Sequence, residues 1–142
     1  MIDAKKILNN FSGIAPIFPL PNFVMFPKTA YSFNIFESRY KELISDILIG
    51  DKLFCTSLLQ SCEDEEYLES PNFHKIGTLC YIVEHKELKN GNYNIIVSGL
   101  KKVRIKEEVN SDKKYKLVNL DILNENNFVD REQEKRRKLI NK

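Results

Sequence analysis

Residues 17–27 read Ile-Phe-Pro-Leu-Pro-Asn-Phe-Val-Met-Phe-Pro, an apolar run with prolines at 19, 21 and 27. A helix interior excludes those prolines, and so does a central strand, because each one removes an N–H and fixes φ. The run is greasy enough to be buried yet barred from regular hydrogen bonding. What surrounds it decides what such a segment is for.

Upstream, Asp3 can cap a short helix whose Ala4, Ile7, Leu8 and Phe11 share one face and which Gly13 stops. This stretch has neither the long apolar centre nor the small-residue cleavage pattern of a secretory signal. Ala15 to Phe18 reads as a first strand, and Phe23 to Phe26 as a brief extended piece ended by Pro27. Thr29 to Phe36 alternates Tyr31, Phe33 and Ile35 against Ser32 and Asn34, the period of a strand. Residues 37–49 form the clearest helix, with Tyr40, Leu43, Ile44, Ile47 and Leu48 on one stripe and Gly50 expected to supply a left-handed end.

Leu53 to Leu59 is a strand that gives way to an acidic, turn-rich loop. From Ile76 the pattern is strand and turn: Ile76 to Leu88, a turn at Asn90-Gly91, Tyr93 to Val97, a bend at Ser98-Gly99, Val103 to Val109, and Tyr115 to Leu123. Asn-Gly between two such runs predicts a type I′ hairpin. Charge dominates after Asn127, where a further helix is expected to begin. One helix cannot cover both faces of so large a sheet, so the strands are expected to curl into a small barrel with that helix plugging one end.

The chain of 142 residues is sized for one domain, and 42% hydrophobic with 30% charged residues suits a packed protein. No run approaches the roughly eighteen apolar residues of a membrane span. Cys55, Cys62 and Cys80 form no C-x-x-C pair, and Cys55 and Cys80 lie inside apolar runs, which predicts buried thiols in a reduced, cytoplasmic setting. Three scattered cysteines with His74 and His85 do not make a zinc site, and neither a metal nor a cofactor is expected. The formal net charge of +2 is misleading, because residues 130–142 carry six Lys or Arg against three Asp or Glu, leaving the body near neutral.

With these features in place, the chain resembles the N-terminal substrate-binding domain of the ATP-dependent Lon proteases, which also occurs in stand-alone proteins. The resemblance rests on Pro16 to Pro27, Ile35-Phe-Glu-Ser-Arg-Tyr40, and Gly50-Asp51 with Phe54. It continues through Gly77-Thr78-Leu79, Ile82-Val83-Glu84, Gly91-Asn92-Tyr93-Asn94, Gly99 and Arg104-Ile105, in the family's order over residues 15–123. Lys28 stands where the family usually has Gly, Ser38 where it has Pro, and Asn34 near a common His. The resemblance implies a mainly β, PUA-like pseudo-barrel of six strands over 15–123. A short arm at 1–14 would precede it and a helical extension at 124–142 would follow. It also implies that the proline-rich segment is an edge crossover lying against the barrel without joining its ladders, stiffened because proline limits the unfolded chain.

Catalytic chemistry is not expected. There is no G-x-x-x-x-G-K-[ST] loop, and no Ser and Lys can be placed with a reason for a lowered Lys pKa. Glu63 to Glu66 read as solvated loop carboxylates. The expected role is a polypeptide-binding module for unfolded or exposed apolar segments, in which unpaired backbone along an edge and adaptable aromatic or Met side chains make the contact. By alternation, with Val24 and Phe26 assigned to the core, Phe23 and Met25 are the candidates for exposure, joined by Tyr31 and Phe33. The alternatives are RNA binding through Lys101, Lys102, Arg104, Lys106 and the basic tail, or an oligomerisation or docking role within a larger protease. A near-neutral body argues against nucleic acid.

Overall fold

The computed structural model of the chain describes residues 3–20, 25–59 and 73–123. In chain order its elements are α1 (Ala4–Asn9), β1 (Ile14–Leu20), β2 (Ala30–Ile35), α2 (Ser38–Leu48), β3 (Leu53–Leu59), β4 (Phe73–Glu87), β5 (Tyr93–Val109) and β6 (Leu117–Ile122). The acidic loop, Cys62 and the C-terminal helix expected from the sequence lie outside the described residues.

The strands form one sheet in the order β2-β5-β4-β3-β1-β6, and β5 pairs additionally with β6. That second pairing closes β5, β4, β3, β1 and β6 into a ring. It is possible because β5 is 17 residues long. Its first part pairs with β2, from Tyr93↔Ile35 to Ser98↔Ala30, and its last part pairs with β6, from Val103↔Ile122 to Val109↔Leu117. The bend expected at Ser98-Gly99 does not divide it: strand continues through both residues, and the irregularity is a register shift opposite Leu79 and Cys80.

Alternation along the ring strands separates two cores. Ala15, Ile17, Leu53, Cys55, Leu79, Val103, Ile105, Val118 and Leu120 belong to one cluster, drawn from all five ring strands and supported by Ala4, Ile7, Leu8 and Phe11 around α1. Phe54, Cys80 and Ile82 point to the other face, where they meet Tyr40, Leu43, Ile44 and Ile47 of α2. The expected plug is thus corrected. α2 covers the outer face of the sheet, and the short N-terminal helix packs on the enclosed cluster. At six residues α1 is too short to persist alone, so this packing and the Lys6 N–H donated to Asp3 at 3.2 Å must hold it.

α2 is likewise held by burial. Its N-cap Glu37 makes no side-chain capping bond. Leu43, Ile44 and Ile47 are nearly inaccessible, and each contributes about 1.5–3 kcal/mol, more than a cap would. Ser38 is the first helical residue, a position that tolerates proline. The left-handed residue after the helix is Lys52 (φ 62), not Gly50, and its N–H bonds to the Ile47 carbonyl at 3.0 Å.

Two local expectations change for geometric reasons. Pro16 and Pro19 lie within β1, which pairs on both sides. Ile17 N–H donates to Lys116 on the β6 side at 3.0 Å, and N–H groups alternate between the two edges of a strand. Pro19 therefore lacks a donor towards β6 where that pairing has already ended, and Pro16 lacks one towards β3 before that pairing begins at Ile17. The ladder loses nothing. At the β4–β5 hairpin only Gly91 has positive φ (86), with Gly91 N–H to Leu88 O at 2.9 Å and Leu88 N–H to Asn92 O at 2.8 Å. These bonds define a three-residue loop with a glycine bulge rather than a type I′ turn.

Candidate polypeptide-binding edge

Residues 25–29 lie across β4 and β5 before the chain enters β2. Thr78 Oγ1 donates to the Met25 carbonyl at 2.8 Å, and the Cys80 sulfur sits 3.7 Å from the Met25 sulfur. The Phe26 carbonyl approaches Gly99 so closely that a Cβ there would collide with it, which is why glycine is needed at 99. Lys28 N–H bonds to Gly99 O and Gly99 N–H to Thr29 O, at 2.8 and 2.9 Å. Lys28 adopts φ 65, the conformation glycine would take most readily.

These contacts set the phase of the segment, and it is the reverse of the sequence expectation. Met25 is 1% exposed, so it is a core residue and not an outward one. Phe26, assigned to the core from the sequence, is 56% exposed. Alternation gives a period but no origin; the buried carbonyl bond and the thioether–thiol contact supply the origin. Phe23 and Val24 lie outside the described residues.

β2 is the terminal strand of the sheet order. Its exposure alternates, with Tyr31 and Phe33 half-buried and Ala30, Ser32 and Asn34 exposed. Tyr31 and Phe33 stack with centroids 6.5 Å apart, Phe33 lies 6.2 Å from Phe18, and Phe18 lies 4.4 Å from Tyr40. The aromatic row thus runs from the edge into the α2 core. Thr29 O accepts from Gly99 N–H, so by the two-residue period 31, 33 and 35 direct their backbone groups to β5. Ala30, Ser32 and Asn34 then direct theirs to the opposite side, where no strand pairs among the described residues.

Phe36, immediately after β2, is 65% exposed. With Phe26 it brackets the strand. The sequence carried a signal for Phe36: Ile35 and Phe36 are both apolar, and successive strand side chains take opposite faces, so one of them must point out. No charged residue occurs from Thr29 to Phe36, nor from Tyr93 to Leu100 on neighbouring β5. On the face bearing Ser32 and Asn34, a hollow of about 480 Å³ is lined also by Glu84, Lys86, Asn94 and Ile96. A second, of about 260 Å³, has Met25 in its wall with Leu20, Leu58, Ile76 and Thr78.

Cys55 and Cys80 are fully buried; burial, with Cys80 nearby, raises the Cys55 thiol, and burial pushes Cys80 up to about 12. Neither is a nucleophile at neutral pH. His74 and His85 are exposed. No three metal-ligating side chains converge among the described residues. Lys106 is bridged to Asp121 at 3.5 Å and Lys116 to Glu108 at 3.1 Å, so among the described residues acids sit beside two of the bases on and next to β5 and β6. No helix among the described residues is long and apolar enough to cross a membrane.

Three comparisons bear on this arrangement. The model of the ATP-dependent protease La (LON) substrate-binding domain matches residues 14–141. The Lon protease of Flavobacterium johnsoniae is 31% identical over 97 residues, which is 68% of this chain and 12% of that protein. Lon protease 2 of Sorangium cellulosum is 28% identical over 91 residues, 64% of this chain and 11% of that protein. The chain therefore spans about an eighth of the relatives it matches. Among solved structures, a Lon N-terminal domain protein from Xanthomonas campestris superimposes with TM-score 0.60 at 21% identity, covering 78% of this chain and 60% of that one. The N-terminal domain of a Mycobacterium avium complex Lon protease gives 0.59 at 12% identity, covering 79% and 55%. At such identities the structural likeness concerns the fold.

Proposed function

The chain belongs to the LON substrate-binding domain family of ATP-dependent protease La, and from that premise we propose that it is a non-catalytic, cytoplasmic module that binds exposed apolar segments of other polypeptides. The observation that carries this reading is the uncharged edge of β2. Half-buried Tyr31 and Phe33 lie along that edge, and Phe26 and Phe36 project at its ends. Large apolar side chains held outward cost stability in water, and their grouping on one edge marks an interaction surface. Aromatic rings offer broad contact at little entropic cost, which suits a surface that must accept many sequences. Affinity for any one client is micromolar or weaker, because contacts this general leave little surplus after ordering is paid. Where the chain is part of a longer protease, the module presents clients to its other domains.

The test uses Phe26→Ser combined with Phe36→Ser, since both side chains are exposed and the fold does not depend on them. Titrating reduced, carboxymethylated lactalbumin as a permanently unfolded client, binding is expected to weaken about tenfold. Unchanged binding in the folded variant would remove this edge from the account.

A further inference from the structure

We infer that the open edge of β2 takes up the client as an additional antiparallel strand, selecting segments in which apolar residues recur at every second position. This rests on the polypeptide-binding reading and specifies how that site recognises its ligand.

The backbone comes first. Ala30, Ser32 and Asn34 direct their N–H and C=O groups away from β5, as the Gly99-to-Thr29 bond and the regular register from Tyr31↔Val97 to Ile35↔Tyr93 require. Native edges repel incoming strands with lysine, proline or inward charge. None of these lies between Thr29 and Phe36, and the neighbouring stretch of β5 is equally uncharged. The charge balance of the edge therefore matches a neutral, extended segment and no charged one.

The side chains supply the pattern. In an antiparallel pair, client residues opposite Ala30, Ser32 and Asn34 exchange hydrogen bonds, and those opposite Tyr31 and Phe33 occupy the non-hydrogen-bonded positions, where side chains approach most closely. Every second client residue thus packs on the Tyr31–Phe33 aromatic pair. The intervening residues turn to the other face, where Ser32, Ile96 and Glu84 are in register across three strands, as are Asn34, Asn94 and Lys86. That row is mostly polar. The site accordingly prefers a strand that is apolar on one face and polar on the other over an equally hydrophobic block or helix.

Peptides of alternating Val and Thr, with lysine at both ends, test this by fluorescence anisotropy against the whole chain. The alternating peptide is expected to bind about tenfold more tightly than an isomer with its Val residues in one block. N-methylation at the Thr positions, whose N–H groups face β2, should weaken binding about tenfold or more, and N-methylation at the Val positions should leave it unchanged. Ser32→Pro should have the same effect as Thr methylation, because the missing N–H belongs to the open side and the β2–β5 ladder is kept. Equal affinity of the isomers, or equal response to the two methylations, overturns strand addition; the methylation arms need no variant and hold even if Ser32→Pro misfolds. Should carboxymethylated lactalbumin bind while the peptides do not, client binding stands and this mode falls; if nothing binds, both fall. Sedimentation showing a dimer that Ser32→Pro abolishes and the alternating peptide cannot dissociate would assign the edge to a second copy and overturn the proposal.

Discussion

The cluster enclosed by the strand ring and the cluster beneath α2 share β1, β3, β4 and β5 but not their side chains. The ring interior is filled by Ala, Ile, Leu, Val and Cys, with no aromatic among its buried members. The outer cluster holds Tyr40, Phe54, Tyr93 and Tyr115, with Phe18, Tyr31 and Phe33 packed against it. A five-stranded ring is narrow and closed, so compact side chains fill it and every ring strand has neighbours on both sides. The layer between sheet and helix is wider and ends at β2, so aromatic rings fill it and carry the apolar surface out to an edge. The proposed recognition edge thereby continues the aromatic face, opposite the one that lines the ring interior.

Substitutions can break that separation if it is wrong. The largest effect is expected in the ring at Gly77→Ala, where the new Cβ would run into the Thr56 carbonyl and meet the Cys55 sulfur at 3.2 Å. Because backbone must move, urea unfolding should show a loss of about 4 kcal/mol. Leu79→Ala, also in the ring and wholly buried, should cost about 3 kcal/mol and leave client affinity unchanged in the folded fraction. At the half-buried border, Phe33→Ala should lose about 1.5 kcal/mol and also weaken binding of carboxymethylated lactalbumin; a stability loss without a binding loss would move recognition away from β2.

Smaller effects sharpen the picture. Tyr115 Oη donates to Asp46 Oδ2 at 2.6 Å, tying the chain before β6 to α2. Burial, and then that bond to the carboxylate, raises the phenol well above its ordinary range. A folded pKa above the unfolded one means the bond contributes fully below about pH 10 and is lost as pH climbs through the folded value. Tyr115→Phe should therefore cost about 1 kcal/mol at neutral pH and flatten the alkaline fall in stability followed by denaturant titration. The smallest change in stability, about 0.5 kcal/mol or less, is expected for Phe26→Ser with Phe36→Ser, the pair whose effect on binding should be among the largest.

Much of this was legible beforehand. Leu53 to Leu59 is β3 as read, the apolar stripe of residues 37–49 is α2 within a residue at each end, and Asp3 caps α1. Tyr31 and Phe33 were correctly placed on one side of a strand. Those features depend on neighbours in the chain: a period of two or 3.6, a capping oxygen, a turn dipeptide. Met25 and Phe26 were transposed because their orientation depends on Thr78, Cys80 and Gly99, residues more than fifty positions away. The left-handed Lys52 was missed for a related reason, since where a chain turns after a helix depends on the strand it must join.

By itself the sequence determined most strand and helix positions among the described residues, the family and the neutrality of the edge, since local periodicity and residue chemistry travel with the chain. Tertiary structure alone decided that prolines can sit inside a paired strand, that β5 closes the ring by reaching β6, and which of two adjacent residues faces out. Each of these depends on a hydrogen-bond partner, present or absent, supplied from a distant part of the chain. A one-residue change of phase reverses every side chain, and only such a partner chooses between the phases.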